Sequence, residues 1–76
     1  MSKTTAVQSR EIFETLESEI LRLELKPGQL LSENALCARF GVSRSPIRSV
    51  LQELRLCGLV TVEPYRGTYV TRMDLD

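Results

Sequence analysis

Apolar residues recur near the start of the chain at Ile12, Leu16, Ile20 and Leu23, spaced i, i+4, i+8 and i+11, and Phe13 widens the stripe. That spacing keeps one face of a helix apolar, while Glu11, Glu14 and Glu17 fall on the outer face. The pattern predicts a helix over 7–25, stopped by the turn-forming pair Pro27-Gly28. The polar residues 1–6 before it are expected to form a loose tail. Ser32 reads as an N-cap, and Glu33 in the next position suits the positive end of a helix dipole. Leu36 and Phe40 then share a face of a short helix over 33–40, which Gly41 ends. A third helix is predicted over 44–57, with Gly58 as its C-terminal cap.

Past Gly58 the apolar period changes to two. Leu59 to Glu63 reads as a strand, Pro64 to Gly67 as a turn, and Thr68 to Arg72 as a returning strand. Gln29 to Leu31 has room only for a third, very short strand. The expected core is Ile12, Leu16, Ile20, Leu36, Phe40, Val42, Ile47, Val50, Leu51, Leu54, Leu59 and Val70. Two short helices joined by a tight glycine-containing turn make a helix-turn-helix, and the hairpin behind them makes a wing. The fold class is therefore α+β: a winged helix-turn-helix of three helices followed by a two-stranded β-hairpin wing.

Length and composition limit what such a unit does. With 76 residues the chain holds one domain and has no room for a deep substrate cavity beside its own core. It contains two cysteines, Cys37 and Cys57, and no histidine, so no zinc site is expected and no cofactor. Serine, lysine and glutamate occur without histidine or a glycine-rich phosphate loop, so no catalytic constellation assembles and no enzyme is expected. The N-terminus has no apolar run of the signal-peptide kind, and no segment approaches the length of a membrane span. A reduced, cytoplasmic protein is the simplest expectation.

The formal net charge is zero, which by itself speaks against nucleic acid. Its distribution changes the picture. Between Met1 and Glu33 four basic residues face six acidic ones, whereas between Asn34 and Arg72 six arginines face only Glu53 and Glu63. A basic face on a neutral protein follows. On the third helix, Ile47, Val50 and Leu54 gather on one side, with Leu51 at its edge. Arg44, Arg48 and Arg55 gather on another, with Ser45 and Gln52 beside them. Guanidinium groups pair with phosphates or with guanine O6 and N7, and short polar side chains reach either. Arg44 and Arg48 sit near the helix start, where a recognition helix meets base edges. In the turn of the hairpin, Arg66 suits a minor groove, while Gly67 is equally accounted for by its backbone angles alone.

These residues carry a family resemblance. The run from Leu25 to Glu33 (LKPGQLLSE) resembles the lead of the GntR family into its second helix, and Phe40 to Arg48 (FGVSRSPIR) is similar to that family's most specific stretch. Val50-Leu51, Leu54, Gly58-Leu59-Val60 and Arg66-Gly67-Thr68-Tyr69-Val70 complete the pattern, so that it covers the chain from about Ile12 to Val70. Leu31 before Ser32-Glu33, together with Pro46, resembles the FadR-type subgroup. The resemblance implies a regulator that binds double-stranded DNA at palindromic operators as a homodimer. It also implies a separate effector-binding domain that is absent from this chain, so dimerisation of this chain alone should be weak or missing. Residue by residue, the family's DNA-contacting positions fall on Asn34, Ser43, Arg44, Ser45 and Arg48, with Arg66 and Gly67 at the wing. Two departures stand out: Asn34 occupies a position where arginine is frequent, and Ser49 one where glutamate is usual. For the start of the third helix, residue chemistry favours Ser45 as the cap before Pro46, whereas the resemblance places it at Ser43. The alternative function is a winged helix used for protein–protein interaction, against which Arg44, Arg48 and Arg66 together weigh.

Overall fold

The computed structural model describes residues 3–72. Three helices, α1 (Lys3–Leu21), α2 (Glu33–Phe40) and α3 (Arg44–Leu56), are interleaved with three strands, β1 (Leu30–Leu31), β2 (Val60–Glu63) and β3 (Gly67–Val70). The two-stranded wing of the sequence reading is thus part of a three-stranded antiparallel sheet in the order β1-β3-β2. Leu30 pairs with Tyr69 and Leu31 with Thr68, while β2 pairs Val60 with Val70 and Glu63 with Gly67. The short strand just before α2 therefore anchors the hairpin to the helical body.

The core forms where α1, α3 and the inner face of the sheet meet. Leu16, Ile47, Val50 and Leu54 are wholly buried, and Val60 and Val70 close the core from the sheet side. Of the expected core, Phe40, Val42 and Leu59 are only partly buried and pack against its edge. Leu31 and Val60, which the periodicity left out, are buried. Both sit on the inward side of the sheet, and only the pairing of β1 with β3 puts Leu31 there.

The first helix departs from the sequence reading at both ends. It takes in residues 3–6, expected as a loose tail, while Met1 and Ser2 lie outside the described residues. It stops at Leu21 instead of reaching residue 25, because Leu23 takes a left-handed conformation at φ 65°. Glu24 N–H then donates to Glu19 C=O at 2.8 Å and Leu23 N–H to Ile20 C=O at 3.1 Å. The same paired closure ends α3, where Leu59 N–H reaches Leu54 C=O and Gly58 N–H reaches Arg55 C=O, both at 2.9 Å. There the left-handed position is glycine, Gly58 at φ 81°. Leu23 consequently leaves the apolar stripe and is exposed, and Leu25 packs on the core from the loop.

Candidate nucleic-acid interface

Ser32 caps α2 with its side chain, its Oγ accepting from Ala35 N–H at 3.2 Å. Ser43 starts α3 differently. Its backbone is extended (φ −76°, ψ −179°), and its hydroxyl makes no cap hydrogen bond. Ser43 is therefore the N-cap position of α3, as the resemblance implied, and Pro46 fits inside the first turn, where no N–H is needed. Pro46 is buried, whereas Ser43 and Ser45 are exposed.

With Ile47, Val50 and Leu54 turned into the core, Arg44, Arg48, Gln52 and Arg55 are left exposed. Two of these arginines are held by the start of α2. Arg44 Nη2 donates to Asn34 Oδ1 at 3.0 Å, and Arg48 Nε pairs with Glu33 Oε1 at 3.4 Å. The N-terminal turns of α2 and α3 thus form one polar surface bearing Asn34, Arg44 and Arg48, with Ser43 and Ser45 in the opening turn of α3. Further along, a groove of about 220 Å³ separates α3 from the hairpin. Arg48, Gln52 and Arg55 line its helix side, and Val62 and Thr68 its sheet side.

The wing holds the remaining two sequence-derived positions, Arg66 and Gly67. Arg66 N–H donates to Glu63 C=O at 3.2 Å across the turn, and Gly67 follows at φ 97°. Three loop residues closed by a left-handed glycine make a common hairpin bend. The Arg66 side chain does not extend from the tip. It folds back over the outward face of the sheet, with Nη1 3.7 Å from Glu63 Oε1 and its guanidinium carbon 5.7 Å from the centre of the Tyr69 ring. Tyr69 Oη donates to the other oxygen of the same carboxylate at 2.6 Å. That hydrogen bond, with some burial and the negative charge of Glu63, raises the Tyr69 phenol above its ordinary value.

Behind the surface, Arg39 of α2 grips Glu19 of α1 through both terminal guanidinium nitrogens, with Nη1 2.9 Å from Oε1. Arg39 also lies over the Phe40 ring at 4.8 Å. The hydrogen bonds with Arg39 pull the Glu19 carboxyl below its ordinary range, against the opposing effect of burial. The sequence reading missed Glu33, Glu63 and Tyr69 as partners of the arginines. Each contact joins residues that helical or strand periodicity does not relate, apart from the three-residue step between Glu63 and Arg66.

The model of the bacterial regulatory proteins of the gntR family matches residues 8–70, nearly the whole fold just described. The chain belongs to the gntR family. It is 49% identical over 65 residues to an HTH-type transcriptional regulator in an unstable DNA locus of Streptomyces ambofaciens, covering 86% of this chain and 28% of that protein. Among solved structures, a GntR family member from Pseudomonas syringae pv. tomato superposes with a TM-score of 0.84 at 32% identity, over 90% of this chain and 29% of that one. The AraR DNA-binding domain in complex with operator ORR3 superposes at 0.77, also at 32% identity, over 84% of this chain and 78% of that one. The gntR-type chain described here spans under a third of the length of the curated relatives it matches. No described helix is long and apolar enough to cross a membrane.

Proposed function

We propose that this chain is the sequence-specific DNA-binding domain of a bacterial transcription regulator. The observation that carries the reading is the exposed face of α3, where Arg44 and Arg48 stand outward near the helix start because Ile47, Val50 and Leu54 fill the core behind them. The likeness to AraR in its operator complex supports it. In this reading α3 enters the major groove. Arg44 and Arg48 read base edges or hold phosphate, and Asn34, Ser43 and Ser45 contact the adjoining backbone. The wing meets the neighbouring minor groove through Arg66, with the backbone at Gly67 close to the phosphates.

The relatives of this chain are several times longer, which supports a second, effector-binding domain beyond residues 1–76. Pairing of two such regulators on a palindromic operator follows, and the FadR-type subgroup is supported by Leu31 and Pro46. Regulators of this kind act in the cytoplasm, where the operator lies. The isolated domain should sediment as a monomer or a weak dimer, because linkage through another domain supplies the effective concentration that pairs two heads.

The test is fluorescence anisotropy of the 76-residue chain on duplex DNA across a salt series. Binding at low salt, weakening linearly in the logarithm of salt concentration, is the expected result. Absence of binding to every duplex at low salt would overturn the reading in favour of protein–protein contact.

A further inference from the structure

We propose that Glu63, braced by Tyr69, is a positioning residue that holds Arg66 on the sheet and so limits the wing's share of DNA binding; this rests on the DNA-binding reading above. Glu63 is the last residue of β2, and its cross-strand partner is Gly67. With no side chain opposite, its carboxylate is free to lean diagonally to Tyr69, which lies two residues further along β3 on the same face. The Tyr69 hydroxyl fixes one carboxylate oxygen at 2.6 Å, and the other faces the Arg66 guanidinium at 3.7 Å. The Tyr69 ring supplies a second hold on the same cation. The free carboxylate oxygen offers Arg66 the negative charge that a DNA phosphate also offers it, so the two compete for one guanidinium.

The competition is modest, because the Arg66 side chain is 69% exposed and that of Glu63 39%. Exposed ion pairs and exposed cation–π contacts are each worth a factor of about two to five in an equilibrium. The wing arginine is therefore available to DNA, at a cost that every site must meet. Sites that repay it best are those with a narrow minor groove, where the negative potential is deepest. Because that cost is the same at every site, Glu63 lowers the wing's contribution to affinity and leaves its preference among flanks to the groove itself.

The experiment measures E63Q, R66A and the double variant against the unaltered chain on duplexes with A·T-rich and G·C-rich flanks, across a salt series. Glutamine still accepts from Tyr69, so the hairpin is retained, and matched thermal melts verify this. E63Q should bind all duplexes about twofold to fivefold more tightly at low salt, with the gain shrinking as salt rises and the preference between flanks unchanged. In the R66A background the same change should give no gain. An equal gain with and without Arg66 would mean that Glu63 simply repels DNA, and would overturn the proposal. Unchanged or weaker binding by E63Q would overturn it too. If the unaltered chain binds no duplex at all, the DNA-binding reading falls, and this proposal with it.

Discussion

Arg44, the first residue of α3, donates from Nη2 to Asn34 Oδ1 at 3.0 Å, so the opening turns of α2 and α3 share one guanidinium. A neutral amide in this position orients the arginine without neutralising it. The full positive charge remains available, and two faces of the guanidinium fork stay free for a base or a phosphate. Arg48 is held by a carboxylate instead, at 3.4 Å from Glu33, and its charge is partly offset.

Removal of Arg44 is therefore expected to be the most damaging change at this surface. Arg44→Ala should lose about 1–3 kcal/mol on the preferred duplex and relax selectivity at one base pair. Asn34→Ala should weaken all duplexes modestly, through the lost backbone contact, and also reduce discrimination, because it frees the orientation of Arg44. Arg55→Ala, in the groove beside the wing, should weaken all duplexes alike and flatten the salt slope by roughly one unit. Anisotropy on the preferred and a scrambled duplex separates the three. Equal loss on both duplexes for Arg44→Ala would assign that residue to phosphate.

The order of elements was legible because each rests on local chemistry. The 3.6-residue period of α1 and α3, the serine before Glu33, the glycine after each HTH helix and the two-residue period past Gly58 are all short-range signals. The face of α3 followed from the same period, and Val50 and Leu54 are indeed wholly buried while Arg48 is exposed. What was not legible depends on pairing between distant segments. Leu31 is buried only because β1 joins β3, and Arg66 folds back onto the outward face of the sheet only because Glu63 and Tyr69 meet diagonally across it. The end of α1 was misjudged for a different reason. A helix stop is read from glycine or asparagine, and here leucine takes the position.

Leu54 lies where α3 meets the rest of the core, and none of its surface is exposed. Leu54→Ala should cost about 2–5 kcal/mol, through lost burial and the cavity left behind. Against the stability typical of so small a domain, that is a large share of the whole. Urea denaturation followed by circular dichroism measures the loss. A cost under about 1 kcal/mol would show that the site collapses around the alanine.

The clasp between Glu19 and Arg39 makes stability depend on pH. The folded state holds the Glu19 carboxyl below its ordinary value of 4.5, chiefly through its hydrogen bonds with Arg39. A depressed carboxylate contributes stability that is fully present above its unfolded value and is lost as pH falls through its folded value. Arg39 is 42% exposed, so solvent screens the pair and the contribution is at most about 1 kcal/mol. Glu19→Gln should therefore be less stable than the unaltered chain at pH 7. The difference should shrink as pH falls below 4.5. Chemical denaturation at pH 7 and at about pH 3 tests the sign, and a difference that grows on acidification would refute it.

Leu23 offers a stabilising change. It sits at φ 65°, where a residue with a Cβ is strained by about 1–2 kcal/mol, and it occupies the position that Gly58 fills at the end of α3. Its side chain is 62% exposed, so truncation removes little buried surface. Glycine relieves the strain and keeps both closing hydrogen bonds, since they involve only backbone atoms. Against this stands the greater freedom of glycine in the unfolded chain, about 0.4–1 kcal/mol. The strain term is the larger, and Leu23→Gly should stabilise the domain by about 0.5–1 kcal/mol, raising Tm by about 2–8 °C for a chain of this size. Leu23→Val is the control. A β-branched residue tolerates positive φ least, so this variant should melt below the unaltered chain. Should Leu23→Gly melt lower as well, the leucine must be gaining from contacts that its exposure does not reveal, and relief of strain at the end of α1 would be the wrong account.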